Sequence, residues 1–339
     1  MERIVQLLKD LEAIHSPSGY TDEVISHIAG LCQKNGINSR RTNKGGILCG
    51  NHDAPKLVVS GHVDTLGLMV SGINSDGSLA FTKIGSPVLA SFEGEYVTII
   101  TSEDKKYRGT LLLNNPAAHV NKEADKAERK VDSMHIRLDA EVTKKEETEK
   151  LGIRTGDFIC FDPRFEYTDS GFIKSRFLDD KAGSAAMLDA MLALGSKELD
   201  KLPVTFFFSN YEEVGHGASA GVPATAAEML VVDMGVVGEK VDGVETAVSI
   251  CVKDSNGPYD YAIRQKLSRL ATAHGIAHRL DVFPLYGSDG SAALAAGCDI
   301  RVGLIGPGVS ASHGMERTHL KGLNAARDLL MAYINDTLK

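Results

Sequence analysis

Hydrophobic residues near the N-terminus recur at the spacing of a helix that is buried on one side. The first such stripe consists of Ile4, Leu7, Leu8, Leu11 and Ile14. A Ser-Pro-Ser-Gly turn follows at residues 16–19, and Thr21 is then the expected N-cap of a second helix. That helix would bury Val24, Ile25, Ile28 and Leu31. The chain is therefore predicted to begin with two amphipathic helices.

Four short, continuous apolar runs predict strands that are covered on both faces. They lie at residues 56–60, 204–208, 229–232 and 301–305. Helical patterns separate them: an alanine-rich helix begins at Asp179 and ends at Gly195, and a last helix carries Leu323, Ala326, Leu330 and Tyr333 on one stripe. Strands that alternate with helices predict an α/β fold with a mixed, largely parallel sheet flanked by helices.

The middle of the chain has a different pattern, with strand-like runs and a long charged segment. Strand-like runs at 96–101 and 107–113 flank the polar turn SEDKK, which predicts a β-hairpin. Residues 121–150 are densely charged with both signs mixed, which is typical of a solvated face or a mobile loop. Strand-like texture returns at 151–162. We expect residues 1–66 and 164–339 to form one domain and residues 67–163 to form a β-rich insertion.

Composition and charge narrow the functional classes. The 339 residues carry 37 Lys and Arg against 45 Asp and Glu, a net charge of −8, so a nucleic-acid partner is not expected. No apolar run approaches the roughly 18 residues that cross a membrane, and the N-terminal stripe is interrupted by acids, unlike a signal peptide. The five cysteines include no C-x-x-C pair. We expect reduced thiols and a cytoplasmic location.

Histidine and acidic residues follow the predicted buried strands. They are His62, Asp64, Glu212, Glu213, Asp233 and His313, with Asp179 at the start of the alanine-rich helix. Ligands of open α/β sheets bind beyond the carboxyl ends of the strands, so we expect these side chains to lie at one rim. Each alone has an ordinary interpretation, such as a surface doublet for Glu212–Glu213 or an N-cap for Asp179. Their joint placement favours a functional site.

Two imidazoles and several carboxylates, without a thiolate, suit zinc, cobalt or manganese better than Cu(I) or an iron–sulfur cluster. Five ligands are enough for two metals if one carboxylate bridges them. Paired metals polarise a carbonyl and lower the pKa of a bound water, which still needs a base. Glu212, beside a ligand Glu213, could supply that base.

The sequence resembles the M42 family of dinuclear metallo-aminopeptidases, the group of glutamyl and tetrahedral aminopeptidases. The matching segments run in the family's order: SGHVDTLGLMV (60–70), LDDKAG (178–183), YEEVGHGA (211–218), VVDMG (231–235), GSDGSAA (287–293) and SHGMERTH (312–319). They span nearly the whole chain. The segment IRTGDFICFDPRF also resembles the family's sequence before its bridging aspartate.

The resemblance implies a role for each matched residue. His62 and Asp233 would bind one metal, Glu213 and His313 the other, and Asp179 both. Asp64 would orient His62, and Glu212 would be the general base. The domain of residues 1–66 and 164–339 would be a zinc-peptidase-like catalytic domain. The 67–163 insertion would be the family's dimerisation domain, which builds dodecameric shells from dimers.

The sequence departs from the family pattern around the expected pocket. Tyr211 stands where glutamine is frequent, His216 where leucine or arginine is common, and Lys181 where arginine is usual. The loop after His313 reads Gly-Met-Glu rather than Ser-Pro-x-Glu. These changes leave the preferred N-terminal residue of the substrate open. Supporting or surface positions are expected for His216, His319 and Asp180, and Asp289 is expected to form a turn.

The leading hypothesis is an aminopeptidase that removes the N-terminal residue of short peptides with two divalent ions, zinc first, cobalt or manganese as alternatives. It would be a homo-oligomer without a nucleic-acid or membrane partner. The alternative is a deacylase or carboxypeptidase-like hydrolase with the same metal pair, because fold alone does not decide function. A catalytically silent binding component would require loss of a ligand or of the base. A glycanase is disfavoured because the chain has no tryptophan to stack on a sugar.

Overall fold

The computed structural model describes residues 1–337, and they form two compact units. The first unit comprises Met1–Thr65 and Arg164–Lys339, and the second comprises Leu66–Pro163. No helix among the described residues is both long enough and apolar enough to cross a bilayer. The predicted mixed α/β fold is confirmed.

The elements are numbered in chain order, and α3 and β4 to β9 belong to the second unit. The helices are α1 (Arg3–Glu12), α2 (Asp22–Lys34), α3 (Lys145–Lys150), α4 (Leu178–Leu194), α5 (Ser196–Leu199), α6 (Tyr261–Ala273), α7 (Asp289–Ala295) and α8 (Leu320–Thr337). The strands are β1 (Ser39–Arg41), β2 (Ile47–Gly50), β3 (Leu57–His62), β4 (Gly67–Ile73), β5 (Leu79–Ile84), β6 (Tyr96–Ile100), β7 (Lys106–Leu113), β8 (Met134–Leu138), β9 (Phe158–Phe161), β10 (Glu166–Tyr167), β11 (Phe172–Ser175), β12 (Val204–Ser209), β13 (Glu228–Val232), β14 (Gly235–Val237), β15 (Val248–Asp254), β16 (Gly257–Pro258), β17 (His278–Val282), β18 (Arg301–Ser310) and β19 (Glu316–His319).

The four predicted buried strands form the centre of the sheet in the first unit. They are β12, β3, β13 and β18, and they pair in that order and in parallel. Every residue of β3 and β12 is buried, which explains why their sequences are apolar without alternation. The pairing of β2 with β12 and of β15 with β18 is antiparallel, so the parallel order belongs mainly to this centre.

The carboxyl ends of these four parallel strands lie side by side at one end of the sheet. His62 is the last residue of β3, and Asp233 directly follows β13. The turn after β12 leads to Glu212, and the loop after β18 leads to His313. The pairing of the strands thus brings together segments more than 200 positions apart in the chain. Ligands of open α/β sheets bind at this carboxyl end of the strands.

Two of the expected helix starts differ from the structure. Thr21 precedes α2 but makes no side-chain cap bond, and its hydroxyl accepts a hydrogen bond from Asn210 Nδ2 at 3.2 Å instead. Asp179 does not cap α4, because its carboxylate faces His62 and His313 while the side chain of Asp180 accepts the amide N–H of Gly183. The regular part of α4 begins after Asp180. Gly195 ends it at φ +70°, as predicted.

The second unit is a closed barrel of six strands, in the order β4, β5, β8, β7, β6 and β9. The predicted hairpin is confirmed as β6 and β7, in which Tyr96 lies opposite Thr110. The charged run at 121–150 is not a loop throughout, since it contains β8 and α3, but all except four of its residues are exposed or partly exposed, as expected of a solvated face. The buried side chains of β8 are Met134, Ile136 and Leu138, which alternate with solvent-facing positions and were hidden by the charged residues around them.

Candidate metal centre

Two groups of potential metal ligands share one carboxylate. His62, Asp179 and Asp233 form the first group, and Asp179, Glu213 and His313 form the second; the ligand atoms within each group lie within 4.8 Å of one another. Asp179 Oδ1 lies 3.2 Å from His62 Nε2, and Asp179 Oδ2 lies 3.5 Å from His313 Nε2. Each oxygen of this carboxylate therefore faces a different imidazole.

Asp64 connects the imidazole of His62 with the turn that follows β12. His62 Nδ1 lies 2.9 Å from the carbonyl oxygen of Asp64, an acceptor that keeps the proton on Nδ1 and leaves Nε2 free to bind a cation. The Asp64 carboxylate accepts the amide N–H of Glu212 at 3.1 Å and that of Glu213 at 3.3 Å. Ser18 donates its hydroxyl to the same carboxylate. Asp64 thus positions both His62 and the Glu212–Glu213 pair.

Glu212 and Glu213 point to different sides of the centre. They begin a 3₁₀ turn between Tyr211 and Gly215, both of which have positive φ. Glu212 Oε2 lies 3.6 Å from His62 Nε2, whereas Glu213 Oε2 lies 3.6 Å from His313 Nε2. Adjacent residues of this irregular turn therefore serve different halves of the site: Glu213 belongs to a ligand group, and Glu212 stands beside the first one without belonging to it.

Sequence reasoning missed Glu316 as a support of the centre. This buried carboxylate accepts the amide N–H of Asp179 through Oε2 at 3.0 Å and that of His313 through Oε1 at 2.9 Å. It therefore holds the backbone of two potential ligands on one side chain. Its position three residues after His313, at the end of the loop Gly-Met-Glu, was the available signal.

Asp289 does more than form a turn. It is the first residue of α7 and is buried, with Oδ2 accepting the Ser60 hydroxyl at 2.6 Å and Oδ1 accepting the amide N–H of Ala218 at 2.9 Å. It thereby joins β3 to the loop that follows the glutamate pair. Gly217 permits this contact, because a Cβ there would come within 2.0 Å of Asp289 Oδ1.

The remaining candidates lie outside both described ligand groups. His216 stacks on Tyr211, with ring centroids 5.0 Å apart. His319 Nε2 lies 3.0 Å from the carbonyl oxygen of Ser170. Asp180 is buried and accepts the amide N–H of Gly183 at 3.2 Å. These three residues have structural partners rather than ligand geometry.

The charges of the centre are unbalanced without cations. Burial, followed by repulsion from neighbouring carboxylates, raises the pKa of Glu212 and Glu213 well above the ordinary value and that of Asp233 to about 7. Burial is the largest influence on Asp179 too, but its contacts with the two histidines outweigh it and lower its pKa. Glu213 Oε1 is buried and has no hydrogen-bond partner among residues 1–337. Bound divalent cations would offset this excess of buried acid, and the nitrogen and oxygen donors fit such ions.

A cavity of about 230 Å³ opens onto the centre. It is lined by Asp179, Glu212, Glu213, Gly215, Asp233, Leu285, Tyr286, Gly287 and His313. Potential ligands and the glutamate beside them therefore face one space in which a small molecule could contact all of them.

Comparisons with known proteins identify the family. The family model for M42 glutamyl aminopeptidases matches residues 45–329. The chain is 44% identical to the Bacillus subtilis (strain 168) protein YhfE, which is named as an aminopeptidase; the match covers 100% of this chain and 99% of that protein. It is also 31% identical to the lysyl aminopeptidase of Pyrococcus furiosus, over 48% of this chain and 45% of that protein.

Solved structures share the fold. The Pyrococcus horikoshii TET1 peptidase matches with a TM-score of 0.85 and 24% identity, over 98% of this chain and 99% of that one. An aminopeptidase from Desulfurococcus kamchatkensis matches with a TM-score of 0.84 and 24% identity, over 98% and 94%. The deacylase or carboxypeptidase alternative is not favoured by these findings. M42 peptidases depend on metal ions, and the residues of the centre are candidate ligands. The chain belongs to the M42 family and is a hydrolytic aminopeptidase.

Proposed function

We propose that His62 and Asp233 bind one divalent cation, that Glu213 and His313 bind a second, and that Asp179 binds both. The observation that carries this assignment is the pair of ligand groups that share Asp179. The two Asp179 oxygens face one histidine each, as a bridging carboxylate requires. Zinc is the proposed ion, with cobalt or manganese as alternatives, because the donors are imidazole nitrogens and carboxylate oxygens.

Glu212 is the proposed general base. Two bound cations would polarise the scissile carbonyl and lower the pKa of a bound water. Glu212 would accept the proton of the attacking water and pass it to the leaving amine. Its raised pKa, caused by burial and then by neighbouring acids, suits a group that must hold this proton between the two steps. Asp64 holds Glu212 in place by accepting a hydrogen bond from its backbone amide.

The proposed substrates are short peptides with a free N-terminus. The cavity of about 230 Å³ that opens onto the centre admits about one side chain of such a substrate. No lysine or arginine stands among the described residues that line the cavity, so the described chain offers no cationic side chain there to pair with an acidic N-terminal residue.

The proposed assembly is a cytoplasmic homo-oligomer in which residues 67–163 form the dimerisation domain and dimers combine into a dodecamer. The TET1 peptidase of Pyrococcus horikoshii can assemble into a tetrahedron or a large octahedral shell. The second unit of this chain is a separate barrel whose surface could form the dimer interface.

Glu212→Gln tests the assignment of the base. Turnover of an alanyl or lysyl p-nitroanilide should fall by roughly 10²- to 10⁴-fold, while two zinc ions per chain are retained by elemental analysis. The matched control is Glu239→Gln, at an exposed glutamate outside the site, which should keep full activity. N-acetylated peptides should resist the unaltered enzyme. Undiminished turnover by metal-loaded Glu212→Gln would disprove the role of Glu212 as general base. Cleavage of the acetylated peptides would support the deacylase hypothesis instead.

A further inference from the structure

The cavity over the metal centre has one wall that the proposed chemistry does not use. Of its nine described lining residues, four are proposed metal ligands and Glu212 is the proposed base. Gly215 and Gly287 have no side chain to offer. Leu285 and Tyr286 are therefore the two side chains, among the described lining residues, that are left to contact the side chain of a substrate.

Leu285 belongs to a loop whose backbone is held on both sides of it. The loop, residues 283–288, connects β17 to α7. Ser255 donates its hydroxyl to the carbonyl of Pro284 at 2.9 Å and accepts the amide N–H of Tyr286 at 2.9 Å. The amide of the same serine donates to the carbonyl of Tyr286 at 3.1 Å. Because the backbone is already fixed, Leu285 can contact a ligand with little further loss of conformational freedom.

The side chain of Leu285 is available to a ligand. Leu285 is 96% exposed, so almost none of its side chain packs on the protein itself. Single exposed leucines are common on protein surfaces, but this one lines the cavity of the metal centre. An apolar group of the substrate that packs on Leu285 would remove both partners from water, and this removal is the main source of affinity in apolar contacts.

The hydroxyl of Tyr286 is already engaged within the protein. It donates to the carbonyl of Met234 at 2.9 Å, and the carboxylate of Asp233 is a second hydrogen-bond partner of the same hydroxyl. A phenol has one proton, so none is left for a substrate carboxylate. The described lining residues also include no lysine or arginine. An acidic side chain of the substrate would lose water there without a donor from Leu285 or Tyr286 to replace it.

We propose that Leu285 is a specificity-determining residue and that the enzyme prefers peptides with an aliphatic N-terminal residue of about the size of leucine. This inference rests on the proposed function, because the assignment of ligands and base leaves Leu285 and Tyr286 for the substrate side chain. The cavity of about 230 Å³ admits about one side chain. That side chain belongs to the N-terminal residue, because the carbonyl of this residue must lie at the metals while the leaving peptide extends away from them.

The ratio of kcat/KM for leucyl and alanyl p-nitroanilides tests the contact. The ratio should be roughly tenfold or more in the unaltered enzyme, and Leu285→Ala should remove most of it because the apolar contact is lost. Leu285→Ile keeps the apolar volume and should keep the ratio within about twofold. The matched control is Leu294→Ala, at a leucine of α7 that is 47% exposed and does not line the cavity. An unchanged ratio in Leu285→Ala would overturn the proposal.

A gain of activity toward a new substrate cannot come from a poorly folded variant. Leu285→Arg would place a guanidinium where the substrate side chain lies, so kcat/KM for glutamyl p-nitroanilide should rise roughly tenfold. The leucyl substrate should lose a similar factor, because its apolar contact is replaced by a charge. Leu294→Arg is the matched control and should change neither value. Unchanged glutamyl cleavage by Leu285→Arg, or an unaltered enzyme that prefers glutamyl or lysyl over leucyl substrates, would overturn the proposal.

A binding measurement separates this proposal from the assignment of the base. The amino alcohols L-leucinol and L-alaninol have a free amine but no bond to hydrolyse. By calorimetry, L-leucinol should bind the zinc-loaded enzyme roughly tenfold more tightly than L-alaninol, and Leu285→Ala should remove most of this difference. If the difference is found but Glu212→Gln keeps full turnover, the base is refuted and the specificity stands. If turnover depends on Glu212 but both alcohols bind equally to the unaltered enzyme, the role of Leu285 alone is refuted.

Discussion

Removing one oxygen of Glu316 should weaken metal binding at a distance from the metal. Glu316 contributes no ligand to either described group, yet its two oxygens hold the amides of Asp179 and His313. Glu316→Gln keeps the shape of the side chain and one accepting oxygen. It turns an NH₂ group toward the other amide, so one hydrogen bond is lost and two donors face each other in a buried site.

The expected magnitude follows from that geometry. A hydrogen bond to a charged group is worth about 1.5–3 kcal/mol, and the unpaired amide left behind cannot reach water. Because every 1.4 kcal/mol is tenfold, affinity at the weaker-held cation should fall roughly 10- to 100-fold. The same range is typical when a group supporting a metal ligand is removed. The effect should be larger at the site that contains His313, since both held amides belong to its candidate ligands.

Competition with a fluorescent zinc chelator measures the two affinities separately. The control is Glu245→Gln, which breaks the ion pair of Glu245 with half-exposed Arg317 next to Glu316 and should change stability by less than about 1 kcal/mol. In the control, both zinc affinities should equal those of the unaltered protein. If Glu316→Gln also leaves both affinities unchanged, the support attributed to Glu316 is refuted.

Further predictions concern pH and packing. Without cations, stability should fall as pH rises from about 4 to 7, because the raised pKa of Glu213 and of Asp233, the latter about 7, makes the folded state hold protons that the unfolded chain has released. Zinc competes with those protons, so it should raise the melting temperature more at pH 8 than at pH 5.5; equal increments would contradict this. Gly217→Ala forces a Cβ against Asp289 and should cost about 1–3 kcal/mol and lower kcat. Gly238→Ala should do neither, because no described atom beyond its chain neighbours lies within 4 Å of a Cβ at that position. Thermal unfolding and steady-state kinetics measure both variants, and identical behaviour would contradict the packing argument.

The central strands could be predicted because their environment leaves a strong mark on their composition. A strand covered on both faces, such as β3 or β12, is apolar at every position, and this pattern is visible without knowledge of its neighbours. The order of acids and histidines behind those strands then followed from the rule for parallel sheets. Asp64 was expected beside His62, and the structure adds its bonds to the glutamate turn.

The supports of the centre could not be predicted in the same way. The bond of Asp289 to Ser60 spans 229 positions, and that of Glu316 to Asp179 spans 137. An acid that is buried by such distant partners looks like any surface acid in the sequence. Strand β8 was missed for a related reason: the strand is short, and its alternating apolar residues lie inside a charged run. Thr21 had the right residue type for a cap but found a partner in Asn210.

Asp64 contacts two separate parts of the candidate site, the imidazole of His62 and the turn that carries Glu212 and Glu213. The backbone carbonyl of Asp64 sets the orientation of the His62 ring, and its carboxylate sets the position of the glutamate turn. Lengthening its side chain by a single methylene, as in Asp64→Glu, would displace the glutamate turn while the backbone carbonyl still held the imidazole. Restoring full occupancy of the ions by excess zinc would therefore not restore the rate, and engineering of this enzyme would have to leave that one side chain alone.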